Sequence, residues 1–308
     1  SGLKSPWLIG VIFALALGAC SPVPVQGDIT PEISTSPEKN IEFTATPNPD
    51  LKTALSTGDG DLEPSSAPSQ TPDPCLEEKG SIEPFSITRR EQELTGRIYT
   101  PPCYGDDPDQ EYPVLVLLHG ATANETQWED LGVFALADEL QTSGTIPPLI
   151  IVLPKEKSWI PLPENPFGDQ LIKDLIPWLD GEYKTRAARE YRAIGGLSRG
   201  GNWAVRLGFL HWGLFGSIGA HSTPLFRGDL ERIPGWQEAI PDTKIPRIYI
   251  DIGRDDSNLP DTAKFADMLL KHEIPHSWHL FPGTHDDVYW GEHLRDYLLW
   301  YSSGWGEE

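Results

Sequence analysis

Three cysteines, no run of five basic residues and no apolar run long enough to cross a bilayer are the first limits this 308-residue chain sets on itself. Without basic clusters, and with a formal net charge of −22, it has no electrostatic footprint for a nucleic acid. The acidity serves solubility and argues against attachment through an anionic lipid surface. The longest apolar stretch, residues 7–19, is shorter than the ~20 residues a membrane span needs. No second Cys or His lies at ligand spacing from Cys75 or Cys103, which excludes a zinc site built on either. Internal repeats are also missing, so solenoid and propeller architectures drop out.

What is present divides in two. Residues 21–74 hold ten prolines and fourteen Ser/Thr with few aliphatics, a composition that cannot bury enough apolar surface to fold alone. From Cys75 onward, aromatic and branched residues come in regular runs, giving a folded part of about 230 residues. Ahead of the tether, residues 7–19 follow Lys4 and end on Leu17-Gly18-Ala19-Cys20. This resembles a bacterial lipoprotein signal over 1–19, with Cys20 lipidated as the mature N-terminus; an ordinary secretory signal and a membrane span are the alternatives. As a flexible coil, the stretch 20–74 spans roughly 40 Å root-mean-square, enough to hold a domain away from a membrane surface. Cys75 and Cys103, an even pair in an exported chain, are expected to form a disulfide rather than remain free thiols.

Within 75–308, strand-length and helix-length patterns alternate. Ser81–Thr88 and Leu94–Thr100 suggest an antiparallel pair around Arg89-Arg90-Glu91-Gln92. Pro113–Leu118 and Leu149–Leu153 are continuous apolar runs, as strands covered on both faces require. Glu125–Leu140 has helical spacing in its second half. Asp169–Tyr183 reads as a helix that Pro177 must kink or restart. Arg192–Leu197, Phe215–Ala220, Arg247–Ile252 and His276–Phe281 read as strands; Arg199–Phe209, Asp261–Lys271 with Asp261 as cap, and Gly291–Tyr301 read as helices. The alternation specifies an α/β fold with a mostly parallel sheet.

The chemistry gathers at Gly195-Gly196-Leu197-Ser198-Arg199-Gly200-Gly201, where a strand hands over to a helix. Gly-x-Ser-x-Gly in that setting is the nucleophile-elbow pattern: a tight turn exposes the serine Oγ, and the flanking glycines let it pass close to neighbouring backbone. A serine hydroxyl needs a base, and the base works best when a carboxylate fixes its tautomer. Past the strand Arg247–Ile252, Asp251, Asp255 and Asp256 compete for the carboxylate role; Asp251 sits inside the apolar run, the other two on the loop. His285, in Phe281-Pro282-Gly283-Thr284-His285-Asp286, follows the last strand, where the base belongs. His272, His276, His279 and His293 read as surface or packing residues, and His221 as pocket-lining or structural. Oxyanion donors would be the backbone N–H groups of Arg199 and of Ala121, with His119 and Gly120 beside them in the pocket. The Arg199 guanidinium reads as solvated or as a contact for a substrate carboxylate. Among the tryptophans, Trp128 and Trp159 are the pocket candidates and the rest read as core.

These residues carry a resemblance. Cys75–Trp300 resembles the esterase D-like esterases, the α/β-hydrolase group that includes enterobactin esterases, feruloyl esterases and mycolyltransferases. The shared stretches are Arg97–Tyr104, Tyr112–Gly120, Asn124–Trp128, Ile146–Val152, Gly195–Gly201 and Phe281–Asp286 with Tyr289-Trp290. The resemblance implies an α/β-hydrolase fold, ester hydrolysis through an acyl-enzyme without cofactor or metal, and Asp256 as the acid, three residues after the strand-ending Gly253. It leaves the ester substrate open. Acyl transfer of the mycolyltransferase kind is a second expectation. A non-catalytic binding lipoprotein is a third, favoured if Ser198 lies beyond hydrogen-bond reach of His285.

Overall fold

In the computed structural model, which describes residues 75, 78–162 and 164–305, the apolar runs become the middle strands of one sheet. The lipoprotein signal over 1–19, the lipidation site Cys20 and the tether to residue 74 lie outside the described residues. Among those described, no helix is long and apolar enough to cross a membrane.

Eight strands are ordered β1-β2-β4-β3-β5-β6-β7-β8. They are β1 (Ser81–Arg89), β2 (Gln92–Thr100), β3 (Val114–Leu118), β4 (Ile150–Pro154), β5 (Arg192–Leu197), β6 (Ser217–His221), β7 (Arg247–Gly253) and β8 (Ser277–Phe281). The β1–β2 hairpin is antiparallel and β2 joins β4 antiparallel; every other pairing is parallel. The hairpin closes through Arg90 and Glu91, both at positive φ, as a tight two-residue turn requires. From β3 the chain crosses to β4 on one side and later places β5 on the other. The carboxyl ends of β3 and β5 therefore flank the point where strand order reverses, which in open α/β sheets is where ligands bind.

The inner strands are buried on both faces because helices cover both. Val114, Val116 and Leu118 of β3 join one core with Ile194, Ile218 and Ile250; Leu115 and Leu117 join the other with Tyr99, Phe134 and Leu298. The covering helices are α1 (Gln127–Asp130), α2 (Val133–Thr142), α3 (Phe167–Gln170), α4 (Ile176–Glu182), α5 (Arg199–Leu210), α6 (Asp229–Gln237), α7 (Leu259–Lys271) and α8 (Asp287–Ser302).

Several helix boundaries depart from the sequence reading, each for a local reason. Asp169–Tyr183 is α3 and α4 joined by a π-helical turn at Leu171–Leu175, directly ahead of Pro177, which has no N–H for a regular helical bond. Helix α7 begins earlier than expected, with Pro260 in its first turn and Asn258 at the cap position, so Asp261 is a first-turn residue and not the cap. Helix α8 likewise begins at Asp287, capped by the Asp286 carboxylate, which accepts from Tyr289 N–H. Helix α6, with Pro234 inside it, is absent from the sequence reading, although Leu230, Ile233 and Trp236 place one apolar face on the core.

One polar cluster sits fully inside the second core. His221 at the end of β6 donates from Nδ1 to Asp251 Oδ1 (2.6 Å), and Tyr289 and Tyr297 both donate to Asp251 Oδ2 (2.7 and 2.8 Å). Burial, reinforced by the Asp251 charge, drives the hydroxyl pKa of all three α8 tyrosines upward, so Tyr301 stays protonated and its O–H reaches His221 Nε2 at 3.0 Å. Asp251 thus fastens α8 to β6 and β7. Replacing Asp251 with Ala strands three donors, His221 Nδ1 and the Tyr289 and Tyr297 hydroxyls, and is expected to lower unfolding free energy by roughly 3–5 kcal/mol in urea melts. Cys75 and Cys103 are joined in a disulfide across a sequence separation of 28, with Cα atoms 5.2 Å apart. On the chain-entropy account, reducing it is expected to cost about 3–4 kcal/mol, read as the shift between melts with and without reductant.

Candidate active site

Ser198 occupies the single residue between β5 and α5, at φ 54° and ψ −117°, a conformation that L-residues avoid. Its N–H is held by the His221 carbonyl at 2.8 Å, and its own carbonyl accepts from Asn202 N–H at 3.2 Å. The flanking glycines are required by contact: a Cβ at Gly196 would strike the Gly200 backbone, and one at Gly200 the Leu118 carbonyl. The elbow thereby lifts Oγ into a cleft of about 490 Å³ lined by Gly120, Ala121, Gln127, Leu197, His285 and Trp290, among others.

The Ser198 hydroxyl meets His285 Nε2 at 3.0 Å, and His285 Nδ1 meets Asp256 Oδ2 at 2.7 Å. These three residues come from the loops after β5, β7 and β8, brought together by the parallel sheet. Asp256 is buried, while its neighbour Asp255 is exposed and uses its backbone N–H on the Gly283 carbonyl; only Asp256 faces the imidazole. Burial pushes the Asp256 carboxyl up. The hydrogen bond from His285, the Asn258 N–H on Oδ1, the imidazole charge and Ser222 together outweigh that and leave it below its ordinary range. Asp256 is therefore a carboxylate that holds the Nδ1–H tautomer and leaves Nε2 free to accept the serine proton.

On the opposite side, the turn after β3 is fixed by side chains. Gly120 N–H donates to Gln127 Oε1 (2.9 Å), and Gln127 Nε2 crosses to Asp287 Oδ1 (2.9 Å) at the start of α8. Gly120 N–H is thus occupied, and the next along, Ala121 N–H, has no acceptor among the described residues. Arg199 N–H, the first of α5, lies in the turn whose donors have no intrahelical partner. Both expected oxyanion donors therefore remain available beside Ser198.

Four expectations are corrected. His119 does not line the cleft: it is buried, its Nδ1 donating to the Gly120 carbonyl (2.8 Å) and its Nε2 accepting from Glu156 N–H (2.9 Å), with its pKa lowered chiefly by burial. Trp128 is also core, 1% exposed, its Nε1–H on the Leu118 carbonyl and its ring edge-on to His221 and Tyr297. Trp159 stands 72% exposed on the loop after β4 and is not among the cleft-lining residues. The Arg199 guanidinium is neither solvated nor free for a substrate, since Glu156 binds it through both carboxylate oxygens at 2.6–3.0 Å. The aromatic wall is Trp290 instead, edge-on to His285 at 5.0 Å and tied by Nε1–H to Ser222 Oγ. Its placement follows from the α8 N-terminus beginning four residues ahead of the predicted one.

Comparison with known proteins agrees with this architecture. The family model described as "Esterase: Putative esterase" matches residues 87–301, from β1 to the end of α8. Among curated proteins, an endo-1,4-beta-xylanase/feruloyl esterase of Xylanibacter ruminicola is 36% identical over 118 residues, 35% of this chain and 16% of that protein. Esterase Rv1288 of Mycobacterium tuberculosis is 31% identical over 136 residues, 41% of this chain and 28% of that protein. The chain thus spans less than a third of the length of either relative. Among solved structures, an S954A mutant of the feruloyl esterase module from Clostridium thermocellum, complexed with sinapinate, superposes with a TM-score of 0.66. It is 19% identical and covers 79% of this chain and 94% of its own. The chain belongs to this esterase family and carries its α/β-hydrolase fold.

Proposed function

We propose that the protein is a serine carboxylic-ester hydrolase, held outside the cytoplasm by a lipid on Cys20. The observation that carries the enzymatic reading is the unbroken relay from Ser198 Oγ to His285 Nε2 at 3.0 Å and from His285 Nδ1 to Asp256 Oδ2 at 2.7 Å. A reach of 3.0 Å also argues against a degenerate, binding-only site.

Ser198 Oγ attacks the ester carbonyl carbon while its proton passes to His285 Nε2, and Asp256 stabilises the resulting imidazolium. The carbonyl oxygen becomes an oxyanion received by the N–H groups of Arg199 and Ala121. The carbon–oxygen bond to the alcohol then breaks, the alkoxide takes the proton from Nε2, and an acyl-serine remains. Water repeats the sequence: it gives a proton to His285, attacks the acyl carbon, and releases the carboxylic acid as Ser198 recovers its proton.

The described lining of the cleft carries Asp286 and Asp287 and no Lys or Arg, which favours neutral esters over anionic ones. Trp290 offers an apolar face to an acyl or aromatic group. The names of the relatives bring feruloyl esters into the substrate range to be tested. The anchoring is supported by the Leu17-Gly18-Ala19-Cys20 sequence, by the Pro/Ser/Thr-rich stretch behind it, and by the Cys75–Cys103 disulfide, a bond that persists in oxidising compartments.

With the full chain, turnover of p-nitrophenyl acetate, butyrate and a feruloyl ester is expected, together with covalent labelling by a fluorophosphonate. Ser198→Ala is expected to lose both, and an unlabelled wild-type chain that hydrolyses none of the esters would sink the proposal. A second expectation concerns pH. Because the Asp256 carboxyl titrates lower in the folded protein than in the unfolded chain, it stabilises the fold at every pH above the unfolded value of about 3.9, and that contribution is lost as pH falls through the folded value. The gap in urea midpoint between wild type and Asp256→Asn should therefore be widest near neutrality and narrow as pH falls from 5 towards 3; a gap that widens on acidification would contradict the assignment.

A further inference from the structure

The loop after β4 touches the site at three places, and all three bear on the groups that flank the oxyanion. Glu156 is buried, and its carboxylate holds the Arg199 guanidinium through Nε and Nη2 at 2.6–3.0 Å. Asn165 Nδ2 donates to Glu156 Oε1 at 2.8 Å and fixes the carboxylate from its other side. The Glu156 backbone N–H donates to His119 Nε2 at 2.9 Å, and His119 Nδ1 holds the Gly120 carbonyl, the peptide group that ends on Ala121 N. Two residues on, Ser158 Oγ donates to the Ala121 carbonyl at 2.6 Å. One residue thus grips both halves of the hole: its side chain the residue that supplies one N–H, its backbone the turn that supplies the other.

We propose that Glu156 is a positioning residue that sets the separation and aim of the Arg199 and Ala121 N–H donors through its ion pair with Arg199 and its hydrogen bond to His119. The inference rests on the reading that Ser198 attacks an ester carbonyl and that these two N–H groups receive the oxyanion. Its physical basis is that the elbow holds Ser198 in a strained backbone conformation, where the peptide that carries Arg199 N–H is tied by a single 3.2 Å hydrogen bond from Asn202 N–H to the Ser198 carbonyl, and the Arg199 side chain gives it a second anchor. A bidentate guanidinium–carboxylate pair fixes orientation as well as distance, which a single hydrogen bond or a lysine would not. Burial makes the pair rigid but gives it little net stability, so its geometry matters more than its contribution to folding. The oxyanion exists only in the transition state and the tetrahedral intermediate, so mis-aimed donors slow the chemical step and leave ground-state binding alone.

The test uses the full chain with three variants: Glu156→Gln, Arg199→Met, and the double variant Glu156→Met with Arg199→Met. Arg199→Met leaves the buried Glu156 carboxylate unpaired and Glu156→Gln leaves the half-buried Arg199 guanidinium without its counter-charge, so each is expected to melt at lower temperature, whereas the double variant removes both charges and should regain most of the wild-type melting temperature. In all three, kcat for p-nitrophenyl acetate is expected to fall about 10- to 100-fold, short of the 10²–10³ that accompanies outright removal of one donor. KM is expected to stay within about twofold, and the Ki of a phenylboronic acid, whose tetrahedral adduct on Ser198 places an oxygen in the hole, should rise by the same factor as kcat falls. If the double variant regains kcat along with its melting temperature, or if KM rises while kcat and the boronate Ki hold, Glu156 acts only through stability or substrate binding and the inference is overturned. Wild-type turnover that requires Ser198, with kcat within twofold in every variant, overturns it alone; a wild-type chain without turnover brings down the underlying reading as well.

Discussion

Everything at the site depends on one strained residue. Ser198 at φ 54° is the only link between the strand β5 and the helix α5, and it can hold that conformation only because the surroundings leave it no other. The His221 carbonyl takes its N–H, the glycines at 196 and 200 allow backbone to lie against backbone, and β3 and β6 wall the strand on either side. The strain is balanced by burial elsewhere: β5 is buried at every position, and the two cores that sandwich it draw on almost every element of the fold. The sheet is best understood as the frame that makes this turn possible.

Among the described residues, one histidine–aspartate pair joins the ends of β6 and β7 and another joins the loops after β7 and β8, and their contrast shows how environment assigns a role to the same chemistry. His285–Asp256 lies at the ends of strands, with Nε2 facing a hydroxyl in an open cleft. His221–Asp251 lies one layer down, with the two outer atoms of the pair, His221 Nε2 and Asp251 Oδ2, answered by the α8 tyrosines and no exposure at all. The first can exchange a proton with a substrate; the second can only hold. Yet they are coupled in structure, because His221 supplies the carbonyl that fixes Ser198 and Asp251 fastens the helix that begins directly after His285. A sealed pair thus supports an open one through backbone, without proton exchange between them.

Much of this was legible in the sequence because it is written in local patterns. The elbow, the order of Ser198, Asp256 and His285, the buried strands and the disulfide partners all follow from spacing, composition and family resemblance. The details that escaped depend on contacts between residues far apart in the chain. Glu156 and Arg199 are 43 positions apart, and nothing in either neighbourhood marks them as partners. Asp255 and Asp256 share one loop, and only the direction of a backbone turn after Gly253 decides which carboxylate meets the imidazole. Trp128 and Trp290 exchanged roles for the same reason. Both sit near the start of a helix and both are buried, and which one borders the cleft depends on how the helices pack over the end of β3 and the His285 loop. Helix α6 was missed because Pro234-Gly235 reads as a break in a short segment whose apolar face is only Leu230, Ile233 and Trp236, and it is held by tertiary contacts such as the Arg206–Asp229 pair.

The strong acidity of the chain then acquires a local meaning. In a protein with net charge −22, an arginine next to Ser198 is the obvious candidate to recruit an anionic substrate, and an acidic molecule would need such a cation to enter. Glu156 withdraws it. With Arg199 paired through both carboxylate oxygens and two aspartates at the start of α8 lining the cleft, the described lining offers no cationic side chain, and the donors beside Ser198 are the backbone N–H groups of Arg199 and Ala121. Such a site repels a negative charge carried by the substrate but stabilises one that develops at the reacting carbonyl, because the donors are short-ranged and aimed at a single point. On the proposed reading, the same ion pair serves selectivity and chemistry by opposite means: it removes a long-range attraction for anions while holding in place the short-range donors that receive the oxyanion.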